Sequence, residues 1–356
     1  MKEVNDEVET EEEDLFEHFK IKVDPGQEMI RIDKFLIDRL ANTSRNKVQI
    51  AAKNGNIVVN GQKVKQNYKV KPGDEVSLVL PYPVREIELI PQDIPIDIVY
   101  EDDALVVVNK PSNMVVHPGY GNYSGTLVNA LVFHFDNLPY KIQDYFGRPG
   151  LVHRLDKHTT GLMVIAKTED ALSHLAKQFY DRTTERRYQA LVWGDVVEDG
   201  TVTGHIGRSL KNRKVMAIFP DGDYGKHAVT HYTVLQRFGL VTLVECRLET
   251  GRTHQIRAHM KHIGHPLFND LEYGGDSILK GTTSTRYKKF IENCFSLIPG
   301  QALHAKTLGF EHPVSGEYMR FDSELPDGFK RIVDRWQTYV SAENIFDDSS
   351  IDFLED

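Results

Sequence analysis

The sequence predicts an α+β protein in two parts: a small αβ module, then a larger domain with a mixed, mainly antiparallel central sheet flanked by helices. Three observations carry this. The 356 residues exceed one ordinary domain and allow two cores. Neighbouring strand-like runs at 228–236 and 240–248 are joined by a short glycine-containing turn, which pairs them antiparallel and excludes a doubly wound nucleotide fold. Pro81, Pro83, Pro91 and Pro95 cluster where neither ladder nor helix continues easily.

Taken in order, Ile30, Ile32, Phe35, Leu36 and Leu40 fall near helical spacing, and Asn42-Thr43-Ser44 offers a cap for a second helix carrying Val48, Ile50 and Ala51. Gly55 ends that helix. Ile57-Val58-Val59, Asn60-Gly61 and Lys63-Val64-Lys65 read as a hairpin, and Pro72-Gly73-Asp74 turns into a strand from Glu75 to Leu80. These signals bound a module at 29–85, preceded by a partly disordered acidic tail (1–28) and followed by a proline-rich linker (86–95). The second domain, 96–340, shows strands at 96–100, 105–109, 162–167, 188–193, 228–236 and 240–248, with helices at 126–135, 169–181 and 253–263. Residues 276–300, rich in Lys, Thr and Ser, read as a surface insertion, and 341–356 as a second acidic tail.

The net charge of −9 conceals a division. Residues 1–14 hold eight acids against Lys2, and 340–356 hold six acids and no base, leaving 15–339 at about +4. Between 29 and 80, ten Lys and Arg face four acids. A polyanionic partner is therefore compatible with an acidic protein. No apolar run reaches the ~18 residues of a membrane span, and the acidic start lacks a secretory signal. With only Cys246 and Cys294, neither a disulfide framework nor a cysteine zinc site is expected, which suits a reducing cytoplasm.

Phosphate-loop, dinucleotide, zincin and nucleophile-elbow motifs are all missing, which argues against an NTPase, dehydrogenase, zincin or α/β-hydrolase. The densest polar cluster is Gly150 to Gly161, containing His153-Arg154-Leu155-Asp156, in a loop that feeds an apolar strand. A second cluster, Glu249 to His259, ends a strand and opens a helix. Basic groups at that end oppose the helix dipole and call for an anion, either a carboxylate from elsewhere in the chain or a phosphate. The third is Arg186-Arg187-Tyr188-Gln189-Ala190, where Tyr188 by itself reads as strand packing.

Together these three segments resemble the RluA-type pseudouridine synthases. Tyr100 to Asp103, Val107 to Pro111, Val115 to Gly119 and Ala302 to Ala305 agree, and the first module resembles the S4 RNA-binding domain. The likeness spans 29–335 and is greatest to the D-type branch, which acts on large-subunit (23S) ribosomal RNA. Asn113-Met114, His158 and the 276–300 segment depart from the usual pattern. The resemblance implies isomerisation of uridine to pseudouridine without cofactor or metal, in 23S rRNA or the large ribosomal subunit, by a cytoplasmic, monomeric enzyme. Asp156, Tyr188 and Arg257 are then catalytic. Arg154, His153, Thr160, Arg252, His254 and Gln255 bind substrate, with Arg154 filling the stack vacated by the flipped nucleotide. In the S4-like module Arg31, Arg45, Lys47 and Lys53 follow RNA phosphates.

The chemistry is reasonable for these residue types. Breaking N1–C1′ and forming C5–C1′ needs no redox change, and a carboxylate suffices as nucleophile or base. Burial alone neutralises a carboxyl, whereas a guanidinium beside it keeps it ionised. Two rival readings exist. A catalytically idle RNA-binding or ribosome-assembly protein shares the S4-like module, and a pseudouridine synthase acting on another rRNA or tRNA site shares the motifs. A metal hydrolase using His254, His259, His262 and His265 is disfavoured by the interleaved Arg257 and Lys261.

Overall fold

A computed structural model describes residues 16–37, 39–40, 45–80, 89–119, 121–135, 138–139, 149–212 and 215–351; the side chains of 16, 47 and 342–351 lie outside that description. The chain forms two compact units, whose described parts are 16–80 and 89–351.

The first unit begins with β1 (Phe16–Lys22), followed by α1 (Ile32–Ile37), α2 (Arg45–Lys53), β2 (Ile57–Val59), β3 (Gln62–Lys63) and β4 (Glu75–Leu80). The sheet runs β1-β4-β2-β3, with antiparallel neighbours. Ile32, Phe35 and Leu36 of α1 pack with Val48 and Ala52 of α2 on Ile57, Val59 and Val76 of the sheet. At the β2–β3 turn Asn60 and Gly61 both take positive φ, 49° and 79°, as a type I′ hairpin requires. The acidic tail is shorter than its composition predicts. Residues 16–22 pair with β4, and Phe19, Ile21 and Val23 alternate toward the core between Lys20 and Lys22.

The second unit contains β5 (Ile98–Glu101), β6 (Leu105–Lys110), α3 (Leu127–His134), β7 (Thr160–Ala166), α4 (Glu169–Asp181), β8 (Glu185–Trp193), β9 (Gly200–Arg208), β10 (Met216–Phe219), β11 (Lys226–Arg237), β12 (Val241–Leu248), α5 (Gln255–His262), α6 (Thr285–Phe295), β13 (Leu303–Glu311), β14 (Tyr318–Asp322) and α7 (Asp327–Ile351). One sheet runs β10-β9-β11-β12-β8-β13-β7-β6-β5, with β14 also on β13. Among the described strands only β13 and β7 pair in parallel. Alternation sends Met163, Ile165, Tyr188, Ala190 and Val192 to the face that meets Leu127 and Leu131 of α3 and Ile256 and Met260 of α5. Leu162, Val164 and Ala166 face Leu172 and Leu175 of α4, while Leu191 and Trp193 meet α6 and α7 through Tyr287, Ile291 and Trp336.

Three boundaries differ from expectation. Residues 89–95 belong to the second unit: Asn129 Nδ2 donates to the Ile90 carbonyl at 2.9 Å, and the Gln92 amide donates to the Asn129 carbonyl at 3.0 Å. The 276–300 segment is no mere surface insertion, because Tyr287, Ile291 and Cys294 of α6 are core residues. Helix α7 runs on to Ile351, past the expected end at 340. In each case loop-like or charged composition hid apolar residues at regular spacing, or a helix carried beyond its packed part.

Candidate active site

The loop before β7 is fastened at several points. Leu155 is buried in the core between exposed Arg154 and half-buried Asp156, so a single apolar anchor turns its neighbours outward. His153 Nε2 accepts from the Val164 amide at 3.1 Å, and its ring stacks on Phe179. Burial, helped by the charge of Arg186, pulls its pKa down to about 3, so it is a neutral acceptor. Lys110, at the end of β6, donates to the carbonyls of Pro111, Met114 and Lys157 at 2.7, 2.9 and 3.2 Å. Ser112 Oγ donates to the His158 carbonyl at 3.1 Å. Thr160 Oγ1 lies 2.8 Å from His304 Nδ1. At Gly161 φ is +111°, and a Cβ would lie 2.3 Å from the Ala305 carbonyl oxygen, so β7 can begin against β13 only with glycine there.

Helix α5 supplies the other wall. Gln255 pins its first turn: Nε2 donates to the Val229 carbonyl and Thr230 Oγ1, while Oε1 accepts from Thr250 Oγ1 and the Arg252 amide. Arg257, also in that turn, meets the anions its position calls for, and they are carboxylates. Nε and Nη2 form a fork on Asp270 at 2.7 Å each, Nη2 also reaches Glu272 at 2.7 Å, and Nη1 reaches Asp156 Oδ2 at 3.2 Å. The Tyr273 ring lies 4.8 Å from the guanidinium carbon. Burial would weaken the charge of Arg257, but the fork with Asp270 and the other two carboxylates outweigh it and raise its pKa. The Arg257 side chain is 5% exposed and that of Asp156 19%: the cation is enclosed while the carboxylate still opens outward.

His254 caps α5 in the left-handed region, at φ 54°, with Nδ1 3.1 Å from the Tyr273 hydroxyl and Nε2 3.8 Å from Asp156 Oδ1. Burial lowers its pKa against the pull of Asp156. Tyr188 is buried on β8, and burial keeps its phenol protonated, with Arg186 opposing and Asp156 reinforcing.

The structure thus brings Asp156, Arg257 and His254 together, with Tyr188 in the field of Asp156. It places His153, Thr160 and Gln255 in hydrogen bonds with the scaffold. They are motif residues because the loop and helix depend on them. Arg252 Nε donates to the His227 carbonyl at 3.1 Å. Sequence reasoning missed Asp270, Glu272 and Lys110. The signal for the first two was the unmet need of Arg257 for anions; Lys110 gave none beyond its place at a strand end.

In the first unit, Arg31 and Arg45 both donate to buried Asp33, which also accepts from Gln49. Lys53 is exposed, and the Lys47 side chain lies outside the described residues. The histidines near α5 diverge: His259 Nδ1 meets Thr230 Oγ1 at 2.9 Å, and His265 Nδ1 meets the Trp193 carbonyl at 2.8 Å. Among the described residues, no three His, Cys, Asp or Glu side chains converge as metal ligands, and no helix is long and apolar enough to cross a membrane.

A sheet with a carboxylate loop on one strand, a tyrosine on another and an arginine on the adjoining helix defines a class that sequence comparison makes specific. The RNA pseudouridylate synthase family profile matches residues 104–262, and the S4 domain profile matches 30–76. The chain is 44% identical over 324 residues to an uncharacterized RNA pseudouridine synthase of Chlorobaculum parvum, covering 90% of this chain and 98% of that one. It belongs to the RNA pseudouridine synthase family and is an isomerase with an S4 domain. It is also 44% identical over 309 residues to ribosomal large subunit pseudouridine synthase D of Zymomonas mobilis, covering 84% of this chain and 92% of the relative. Human RNA pseudouridylate synthase domain containing 4 superposes with a TM-score of 0.51 at 26% identity, covering 68% of this chain and 93% of that one.

Proposed function

We propose that this enzyme isomerises uridines of large-subunit (23S) ribosomal RNA, with Asp156 as the reacting carboxylate, Tyr188 as the platform for the flipped uracil and Arg257 as the cation that keeps Asp156 ionised. The Asp156–Arg257 contact at 3.2 Å carries this reading. Because Arg257 is oriented by Asp270, its fork does not depend on Asp156, and the carboxylate can leave Nη1 to meet the sugar or base while the cation stays in place.

Exposed Arg154 is two residues from Asp156, so the side chain that fills the vacated stack and the one that reacts move with one loop. The protonated phenol of Tyr188 can stack on uracil and relay the proton that C5 must lose, giving up its own as it takes that one. Attack at C1′, addition at C6 and abstraction of a sugar proton are the three ways in which a carboxylate at Asp156 can begin the reaction. Relatives named for the large ribosomal subunit support the choice of RNA, and the reaction belongs in the cytoplasm, where ribosomes are assembled. We place the enzyme there as a monomer.

The test is to map pseudouridines in ribosomal RNA by carbodiimide-dependent reverse-transcription stops, in cells with the gene, without it, and with Asp156→Asn. Stops in 23S rRNA present only with the wild-type gene are the expected result. A variant isomerising at the wild-type rate would remove Asp156 from the chemistry.

A further inference from the structure

Two residues before Tyr188 on the same strand face lies a charge that the ion-pair network around Arg257 does not use. Arg186 is 7% exposed and makes no hydrogen bond or ion pair with any described residue; its Nε is fully enclosed without an acceptor. Its guanidinium carbon stands 5.5 Å from the Phe179 ring centroid, a contact that satisfies no N–H. One step back on that face, the Thr184 hydroxyl is likewise buried and unpaired. Polar groups are rarely left in this condition, since each gives up water and gains no partner.

The neighbouring charges make the position worse. Exposed Arg182, which caps α4 in the left-handed region at φ 63°, adds to burial in lowering the pKa of Arg252 and, against an opposing pull from Tyr188, that of Arg186. Glu249 is engaged by His231 at 2.6 Å. At Gly251 a Cβ would lie 2.8 Å from Arg186 Nη1, so this nitrogen packs directly against glycine backbone and any side chain there would crowd it. Gly251 itself is exposed.

We propose that Arg186 is the floor of an anion site, walled by Arg182, Arg252 and Thr184 and entered over Gly251, that holds one phosphodiester of the RNA strand beside the uridine on Tyr188. The assignment rests on the RNA-modifying role and deepens it. Two strand residues separate the sites by about 6–7 Å, within reach of a nucleotide whose base lies on Tyr188 and whose backbone crosses Arg186. A phosphate oxyanion supplies acceptors for the guanidinium fork and the hydroxyl, and relieves the repulsion among three arginines.

The test uses the full-length protein and a large-subunit rRNA transcript, with Kd measured across a potassium chloride series, beside thermal unfolding of the free protein. Arg186→Met is expected to bind about ten- to a hundredfold more weakly. Its slope of log K against log salt should be shallower by about 0.7, one single-strand phosphate contact. The free variant should unfold at the same temperature or higher, because an uncompensated buried charge is gone. Gly251→Val, which keeps the arginine but crowds Nη1 and covers its approach, should weaken binding as well, and Arg186→Lys should restore the slope. Wild-type slope in both Arg186→Met and Gly251→Val overturns the site, whatever their stability. Pseudouridine formation by the wild type in the same transcript is scored separately. Activity with unaltered slopes sinks only the anion site; altered slopes without activity sink only the proposed reaction.

Discussion

A single guanidinium organises the candidate active site. Arg257 spends its fork on Asp270, its outer edge on Glu272 and its last nitrogen on Asp156. Removing the fully buried partner with Asp270→Ala leaves an enclosed cation turned only toward the more exposed pair. The expected loss is about 3–5 kcal/mol of stability, read by urea denaturation. Pseudouridine formation should fall with it, because Nη1 no longer points reliably at Asp156. Lys110 acts by a different route. Its ammonium closes three carbonyls, one of them from Lys157 in the Asp156 loop, and burial takes its pKa down to about 7. Lys110→Met strands those carbonyls at a cost of about 1–3 kcal/mol and slackens the loop. The expected signature is an unfolding midpoint and a turnover rate that drop together.

Among the elements, the S4 unit depends on Asp33 at the start of α1. Burial pushes this carboxyl up, but hydrogen bonds from Gln49, Arg31 and Arg45 prevail and bring it down to about 2. Its pKa is lowered on folding, so its contribution is complete above the unfolded value of about 4 and is lost as pH falls through about 2, some 2 kcal/mol in all. Acid unfolding followed on the full chain should show this loss, and Asp33→Asn should flatten it. Arg31 and Arg45 are thus half structural, which their reading as RNA contacts, implied by the S4 resemblance, did not reveal. Much of this level was legible in the residues themselves: Asn60-Gly61 demanded a hairpin, the helix expected at 126–135 formed as α3, and the apolar run after Gly161 became a strand buried on both faces. The missed elements share a cause. Strand β1 alternates, but next to a tail whose charge dominates any window; α6 has buried residues four and three apart within a polar segment; β13 derives its importance from partners far away in sequence. Asp156 and Arg257 were legible because their motifs are local, whereas Asp270 meets Arg257 only once α5 and the loop after it have packed.

At the scale of the molecule, charge is segregated by sequence position. The acidic first fourteen residues precede a unit rich in Lys and Arg, within a chain whose central part is basic. Deleting residues 1–14 is expected to strengthen RNA binding severalfold at 50 mM salt. The difference should vanish near 1 M, where screening acts within about 3 Å. Equal affinities at low salt would show that the tail does not compete with RNA.

The sheet register has a temporal consequence. Ala305 pairs with Tyr188 on one side and with Gly161 on the other, so the spacing between Tyr188 and the Asp156 loop is measured by a strand from the last sixth of the chain. A nascent polypeptide that has emerged only as far as α6 already carries Asp156, Tyr188 and Arg257, but lacks the ruler that sets them apart. The arrangement of Asp156 and Tyr188 can therefore be set only once translation of the chain is nearly finished.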